Sequence, residues 1–150
     1  MAGKTILLTG GTGYLGSKIL KKLVDEKYDI ILLKRSFSNT VRINDHLKKI
    51  RFYDVDRIPL ETIFSQNSID MVVHCATNYG RRENDPLQVI EANLLLPLKL
   101  LELGKNYRIK CFINTDTGSF IIANVISAPS GSNHIAISTK CNQHRAIGCS

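Results

Sequence analysis

No stretch of this 150-residue sequence approaches the ~18 consecutive apolar residues needed to span a bilayer, so no membrane-crossing helix is expected. Nor does a separate apolar region ending in a small-residue cleavage site precede the first strand-like run, so we expect no secretory signal and a cytoplasmic protein. The four cysteines, Cys75, Cys111, Cys141 and Cys149, form no CxxC pair and show no zinc-type His/Cys spacing. Reduced thiols and no metal site follow. The formal charge of +7 comes from scattered Lys and Arg whose longest clusters are pairs. Aromatic residues are not interleaved with them as a base-stacking surface requires, so nucleic acid is not an expected partner. There is no internal repeat and no low-complexity tract. From Gly118 onward there is also no Asp, Glu or Tyr, although the preceding residues hold all 13 acids and all five tyrosines. We therefore divide the chain at that point, into a folded unit over 1–117 and a divergent tail over 118–150.

Within the first unit, short apolar runs alternate with stretches of helical period. Thr5–Thr9 reads as a strand, and Leu15, Ile19, Leu20, Leu23 and Val24 then recur at helical spacing. Asp29–Leu33 is a second strand-length run, Val41 opens about ten helical residues, and Ile50–Tyr53 makes a third strand. Pro59 starts a short helix through Phe64. Met71–Cys75 and Lys110–Asn114 supply strands four and five. Between them lies the best-defined helix, capped by Asp85 and begun by Pro86, with Leu87, Ile90, Leu94, Leu98 and Leu101 as its apolar face and a kink expected at Pro97. Strands and helices alternating at these lengths predict an α/β protein, a Rossmann-type doubly wound parallel sheet with helices on both faces, incomplete after strand five. In the tail, Ile121–Ile122 and Ile135–Ala136–Ile137 could form short strands.

Between the first strand and the first helix stands Thr9–Gly10–Gly11–Thr12–Gly13–Tyr14–Leu15–Gly16. Gly10 suits a tight turn, Gly13 lets a diphosphate approach the backbone, and Gly16 lets the helix pack close to the sheet. The helix N-terminus would offer N–H groups and a positive dipole end to that anion. A flexible turn with no ligand is the bland alternative. At the end of the second strand, Lys34–Arg35–Ser36 replaces the acid that would hold a ribose 2′-hydroxyl. Two cations and a hydroxyl suit a 2′-phosphate, so NADP(H) is expected over NAD(H), unless the pair merely flanks a solvated strand end.

The glycine segment resembles the extended short-chain dehydrogenase/reductase family of nucleotide-sugar epimerases, dehydratases and reductases, and the resemblance runs from about Lys4 to Thr117. It implies a cofactor site comprising Gly10, Thr12, Gly13, Tyr14, Leu15 and Gly16, with Lys34, Arg35 and Ser36 on the adenosine side. Tyr53–Asp54–Val55–Asp56 is similar to the family's acidic segment after strand three, which implies that Asp54, with Val55 beside it, meets the adenine. His74–Cys75–Ala76–Thr77 resembles the segment lining the cofactor after strand four, placing Cys75, Ala76 and Thr77 there, and Asn93 matches a site-supporting asparagine. Phe112–Thr117 resembles the strand-five segment ending in the catalytic Ser or Thr, which would be Thr117. Taken singly, Asp54 also reads as a turn cap, His74 as a satisfied core histidine and Asn93 as an ordinary exposed helix residue. A narrower likeness, carried by Lys34–Ser38, Ala76–Arg81 and Asn114–Thr117, is to CDP-abequose synthase-like reductases of surface-polysaccharide deoxysugar assembly. It implies reduction of the 4-keto carbon of a CDP-linked deoxyhexose, and family habit implies a homodimer.

The family's catalytic Tyr-x-x-x-Lys is missing where it would be expected. No tyrosine follows Tyr107, Ala136 stands four before Lys140, and Tyr14 to Lys18 is the one such spacing, inside the phosphate loop and its helix. We therefore expect a chain truncated or frameshifted after Thr117 and impaired in catalysis. A non-catalytic dinucleotide-binding module and a nonfunctional fragment remain as alternatives.

Overall fold

The structure is a computed structural model that describes residues 3–80, 85–115, 120–127 and 133–139. Its centre is a seven-stranded sheet in the order β3-β2-β1-β4-β5-β6-β7. The strands are β1 (Thr5–Thr9), β2 (Asp29–Lys34), β3 (Arg51–Asp54), β4 (Met71–His74), β5 (Cys111–Thr115), β6 (Phe120–Ser127) and β7 (Asn133–Thr139). β1 to β5 pair in parallel, with Leu7 opposite both Ile31 and Val72. The expected Rossmann-type core is therefore present. β6 and β7 run antiparallel instead, Ile113 facing Ile122 and Ala123 facing Ile137. Only residues 116–119 separate β5 from β6. A parallel return needs a crossover of a dozen or more residues, so a connection this short turns the chain straight back.

Helices cover both faces, and the period of two along each strand sorts the core between them. Leu7, Ile31, Leu33, Val72 and Phe112 pack with α2 (Leu60–Gln66) and α4 (Leu96–Asn106) through Ile63, Phe64, Leu100 and Leu103. Ile6, Leu8, Ile30, Leu32 and Val73 pack on the other face with Leu20 of α1 (Tyr14–Asp25) and Ile43. Burial on both faces explains why the strands read as unbroken apolar runs rather than alternating ones. Ile43 lies in a 3₁₀ helix over Val41–Lys49, the helical stretch expected there, wound more tightly. Asn44 and Asp45 at its middle are residues whose side chains compete with α-helical backbone bonding.

The long helix needs a correction. Asp85 caps it through Leu87 N–H, and Pro86 sits in its first turn as α3 (Pro86–Ile90) begins. Glu91–Leu95 then forms a π turn before α4. Pro97 follows after Leu96, and the wider turn relieves the clash its ring would make with the carbonyl of Asn93, four residues back. A π turn also shifts the register of the side chains. Of the expected apolar face, Leu87, Ile90, Leu94 and Leu98 are exposed, and only Leu101 packs partly against the core. Leu100 and Leu103, with Leu96 beside them, are the buried set.

Candidate cofactor site

Strand order reverses between β1 and β4, since β2 and β3 lie to one side and β5 to the other. Ligands of such sheets bind at the carboxyl ends of the strands flanking that reversal, and the glycine segment lies there. Gly10 has φ +69°, and a Cβ on it would stand 2.5 Å from Ala76 N and from the Cys75 carbonyl carbon. The turn closes with Gly13 N–H donating to Gly10 O at 3.0 Å. Gly16 is crowded as well, its added Cβ falling 2.1 Å from Gly10 O, so α1 rests directly on the turn. Gly13 is different. Its φ is −76°, and an added Cβ would have one neighbour within 4 Å, Gly10 O at 3.3 Å. Neither backbone conformation nor internal packing demands glycine there.

Gly13 is also the N-cap of α1, where it supplies no side-chain acceptor, and no acid stands in the first turn. The N–H groups of Tyr14, Leu15 and Gly16 precede the first i→i−4 bond, made by Ser17 N–H to Gly13 O. An uncapped helix start with its positive dipole end and open backbone at Gly13 fits a diphosphate. Tyr14 and Leu15 are largely exposed and Thr12 half-buried around it.

Thr9, which the sequence reading did not single out, ties this loop to the neighbouring strand. Its hydroxyl oxygen accepts from Cys75 N–H and Ala76 N–H, both at 3.3 Å, and lies 2.7 Å from His74 Nδ1. The Thr9 hydroxyl and His74 Nδ1 thus share one hydrogen bond, whose donor is set by the ring tautomer. Thr9 and His74 are each 2% exposed. The Cys75 thiol is pushed up by burial, an effect partly offset by a hydrogen bond with Thr115, so it stays protonated as a packed group. Cys111 is likewise raised by burial. Past Cys75, Asn93 holds the chain with both halves of its amide: Asn78 N–H donates to Oδ1, and Nδ2 donates to Asn78 O, each at 2.8 Å. Asn93 is exposed, as the simple helical reading had it, yet it pins the loop after β4. His74, Ala76, Thr77, Asn93, Asn114 and Thr115 line one recess at this edge. Thr117 lies outside the described residues.

On the adenosine side, Lys34 does not project toward solvent. Its ammonium pairs with the Asp54 carboxylate, lies 5.0 Å from the centre of the Phe52 ring, and its side chain is 9% exposed. The adenine-facing acid and one of the two phosphate-facing cations of the sequence reading thus neutralise each other. Val55 N–H is bonded to Lys34 O at 2.9 Å and extends the β2–β3 pairing. Arg35 lies over the Phe37 ring at 5.0 Å, and its N–H donates to Ser38 Oγ. Ser36 donates its hydroxyl and, at 2.8 Å, its N–H to Asp56. The Ser36 hydroxyl, then its N–H, hold the Asp56 carboxyl below the usual carboxylate range. Asp56 was visible in the sequence only as part of the acidic segment; nothing there signalled its reach to Ser36.

Comparison with known proteins decides the family. The pattern of the NAD dependent epimerase/dehydratase family matches residues 6–136. The chain belongs to that family. The match starts in β1 and ends in β7. CDP-abequose synthase of Salmonella muenchen is 37% identical over 114 residues, covering 76% of this chain and 38% of the relative. A UDP-glucose 4-epimerase from Thermotoga maritima, solved with UDP-glucose, superposes with TM-score 0.66 at 29% identity, over 89% of this chain and 45% of that one. The Bifidobacterium longum UDP-glucose 4-epimerase, solved with NAD+ and UDP, gives TM-score 0.63 at 26% identity, over 77% of this chain and 39% of the other. The chain thus spans less than half the length of each of these relatives. Among the described residues no cluster of His, Cys, Asp and Glu could hold a metal ion, and no helix is long and apolar enough to cross a membrane.

Proposed function

We propose that this chain is the dinucleotide-holding part, over 1–117, of a nucleotide-sugar oxidoreductase or epimerase. The observation that carries the reading is the uncapped, acid-free start of α1, set on a glycine turn at the strand-order reversal. The family's NAD dependence and the relatives solved with NAD+, UDP or UDP-glucose support the two ligand classes. Bound there, the cofactor supplies hydride transfer. The chain's own part is positional: Gly10–Gly16 receives the diphosphate, Thr9 and Asn93 fix the loop after β4 beside it, and Thr117 steadies the sugar oxygen. For the substrate we take a CDP-linked deoxyhexose reduced at its 4-keto carbon, on the likeness to CDP-abequose synthase. NADP(H) is our preferred form on the charge of Arg35 alone, since Lys34 is paired with Asp54 and Ser36 with Asp56, pairings that weaken that preference without reversing it. A homodimer would cover the exposed Leu87, Ile90, Leu94 and Leu98 stripe.

The absence of any tyrosine after Tyr107 favours a second reading, a module that binds the dinucleotide without turning it over. Titrating the chain with NADPH and NADH while following fluorescence and melting temperature tests both. Binding with turnover of a 4-keto sugar nucleotide supports the enzyme, and binding alone supports the module. If neither nucleotide binds, both readings fall.

A further inference from the structure

The end of β2 offers fewer donors to a ligand than its sequence suggests. Lys34 is turned inward to Asp54, Arg35 N–H is given to Ser38, and Ser36 gives both its N–H and its hydroxyl to Asp56. A phosphate monoester is recognised by such N–H and O–H donors together with a cation. Here the donors already face a carboxylate, an anion of the same sign as the phosphate. A ribose hydroxyl meets no such conflict, because it can donate to a carboxylate as readily as it accepts from Ser36.

Resting on the reading that the adenosine end lies beside Ser36, we propose that Asp56 sets this chain's discrimination between nicotinamide dinucleotides with and without a 2′-phosphate. It does so in two ways: by occupying the Ser36 donors and by adding one negative charge beside the arriving phosphate. The two acids at this strand end therefore act differently. Asp54 cancels Lys34, whereas Asp56 opposes the ligand that Arg35 attracts.

The test compares the full chain with its Asp56→Asn and Asp56→Ser variants, each titrated with NADPH and NADH by fluorescence, with melting temperatures recorded alongside. Asp56 is exposed and accepts only at the surface, so the variants keep the fold. Removing one unit of like charge within a few ångströms of a dianionic group is expected to tighten NADPH by about fivefold or more while leaving NADH within about twofold. Asp56→Glu restores the wild-type ratio because it restores the charge. Raising the salt toward ~1 M shrinks the difference, since the charges at this exposed site become screened. If both nucleotides bind and their ratio is the same in all four proteins, Asp56 is not the selector and the proposal is overturned. If the wild type binds neither, it is the dinucleotide reading itself that fails, and this inference with it.

Discussion

Replacing Gly16 by alanine puts a methyl group 2.1 Å from Gly10 O, 2.6 Å from Gly10 C and 2.8 Å from Gly11 Cα. All three are backbone atoms, so no side chain can swing aside. α1 or the turn must retreat by more than about an ångström to restore ordinary contact of about 3.4 Å or more. Overpacking of this kind costs about 1–3 kcal/mol, reduced by up to about 1 kcal/mol through alanine's better helix propensity. We expect a net loss of about 1–2 kcal/mol, which for a chain of this size lowers the melting temperature by about 2–8 °C. Gly13→Ala is the matched control. Its Cβ has a single neighbour, Gly10 O at 3.3 Å, slightly inside ordinary contact, and its φ of −76° is open to alanine, so the melting loss, which includes the poorer N-cap, should stay below that of Gly16→Ala. Binding should show the reverse order, since Gly13 is where a diphosphate would press against the backbone. We expect Gly13→Ala to weaken NADPH by tenfold or more, an order-of-magnitude figure for the loss of about 1.4 kcal/mol of close contact. Circular-dichroism melts and nucleotide titration of both variants check this. Equal destabilisation by the two substitutions, or undiminished binding by a well-folded Gly13→Ala, would refute the division of labour among the glycines.

Thr9→Val keeps the shape but removes the oxygen shared by Cys75 N–H, Ala76 N–H and His74 Nδ1, so urea denaturation should show a loss of about 1–3 kcal/mol; a shift under about 0.5 kcal/mol would mean those groups find other partners. Asn93→Asp removes the donor to Asn78 O and sets a carboxylate against that carbonyl, so Asn78 and Gly80 amides should exchange with deuterium several-fold faster while those of β1 do not change. Asp70, held low first by the Lys110 side chain and then by Thr5 N–H, contributes stability that is present above its unfolded value near 3.8 and lost as pH falls through the lower folded value. Asp70→Asn should therefore flatten the fall in melting temperature below about pH 4, and an unchanged acid limb would count against the assignment.

The strand and helix plan was legible because each element carries its own period. Met71–His74 and Cys111–Thr115 were read to within a residue, and Asp85 announced its cap. Side-chain burial along Pro86–Asn106 was not, since α3 and the π turn bury no residue, and a stripe counted at helical spacing does not say whether anything covers it. The glycine turn was equally plain, whereas the groups that fix its surroundings were hidden by distance. Thr9 meets His74 across 65 positions, and Ser36 meets Asp56 across 20. Lys34 shows the same limit, for its position promised a cation to a ligand while its partner came from the next strand. The sense of β6 and β7 was missed because apolar runs mark strands without giving their direction.

The place of β1 between β2 and β4 has a consequence for how the chain is made. A ribosome adding about 5–20 residues per second needs several seconds to pass from Thr9 to Met71. Throughout that interval Thr5–Thr9 has at least one bare flank, and the slot that the Met71–His74 segment will fill is open to any extended peptide nearby, including the same stretch of another nascent copy. Protection of this protein during translation therefore matters most before residue 74 clears the exit tunnel, and a chaperone would act to greatest effect then.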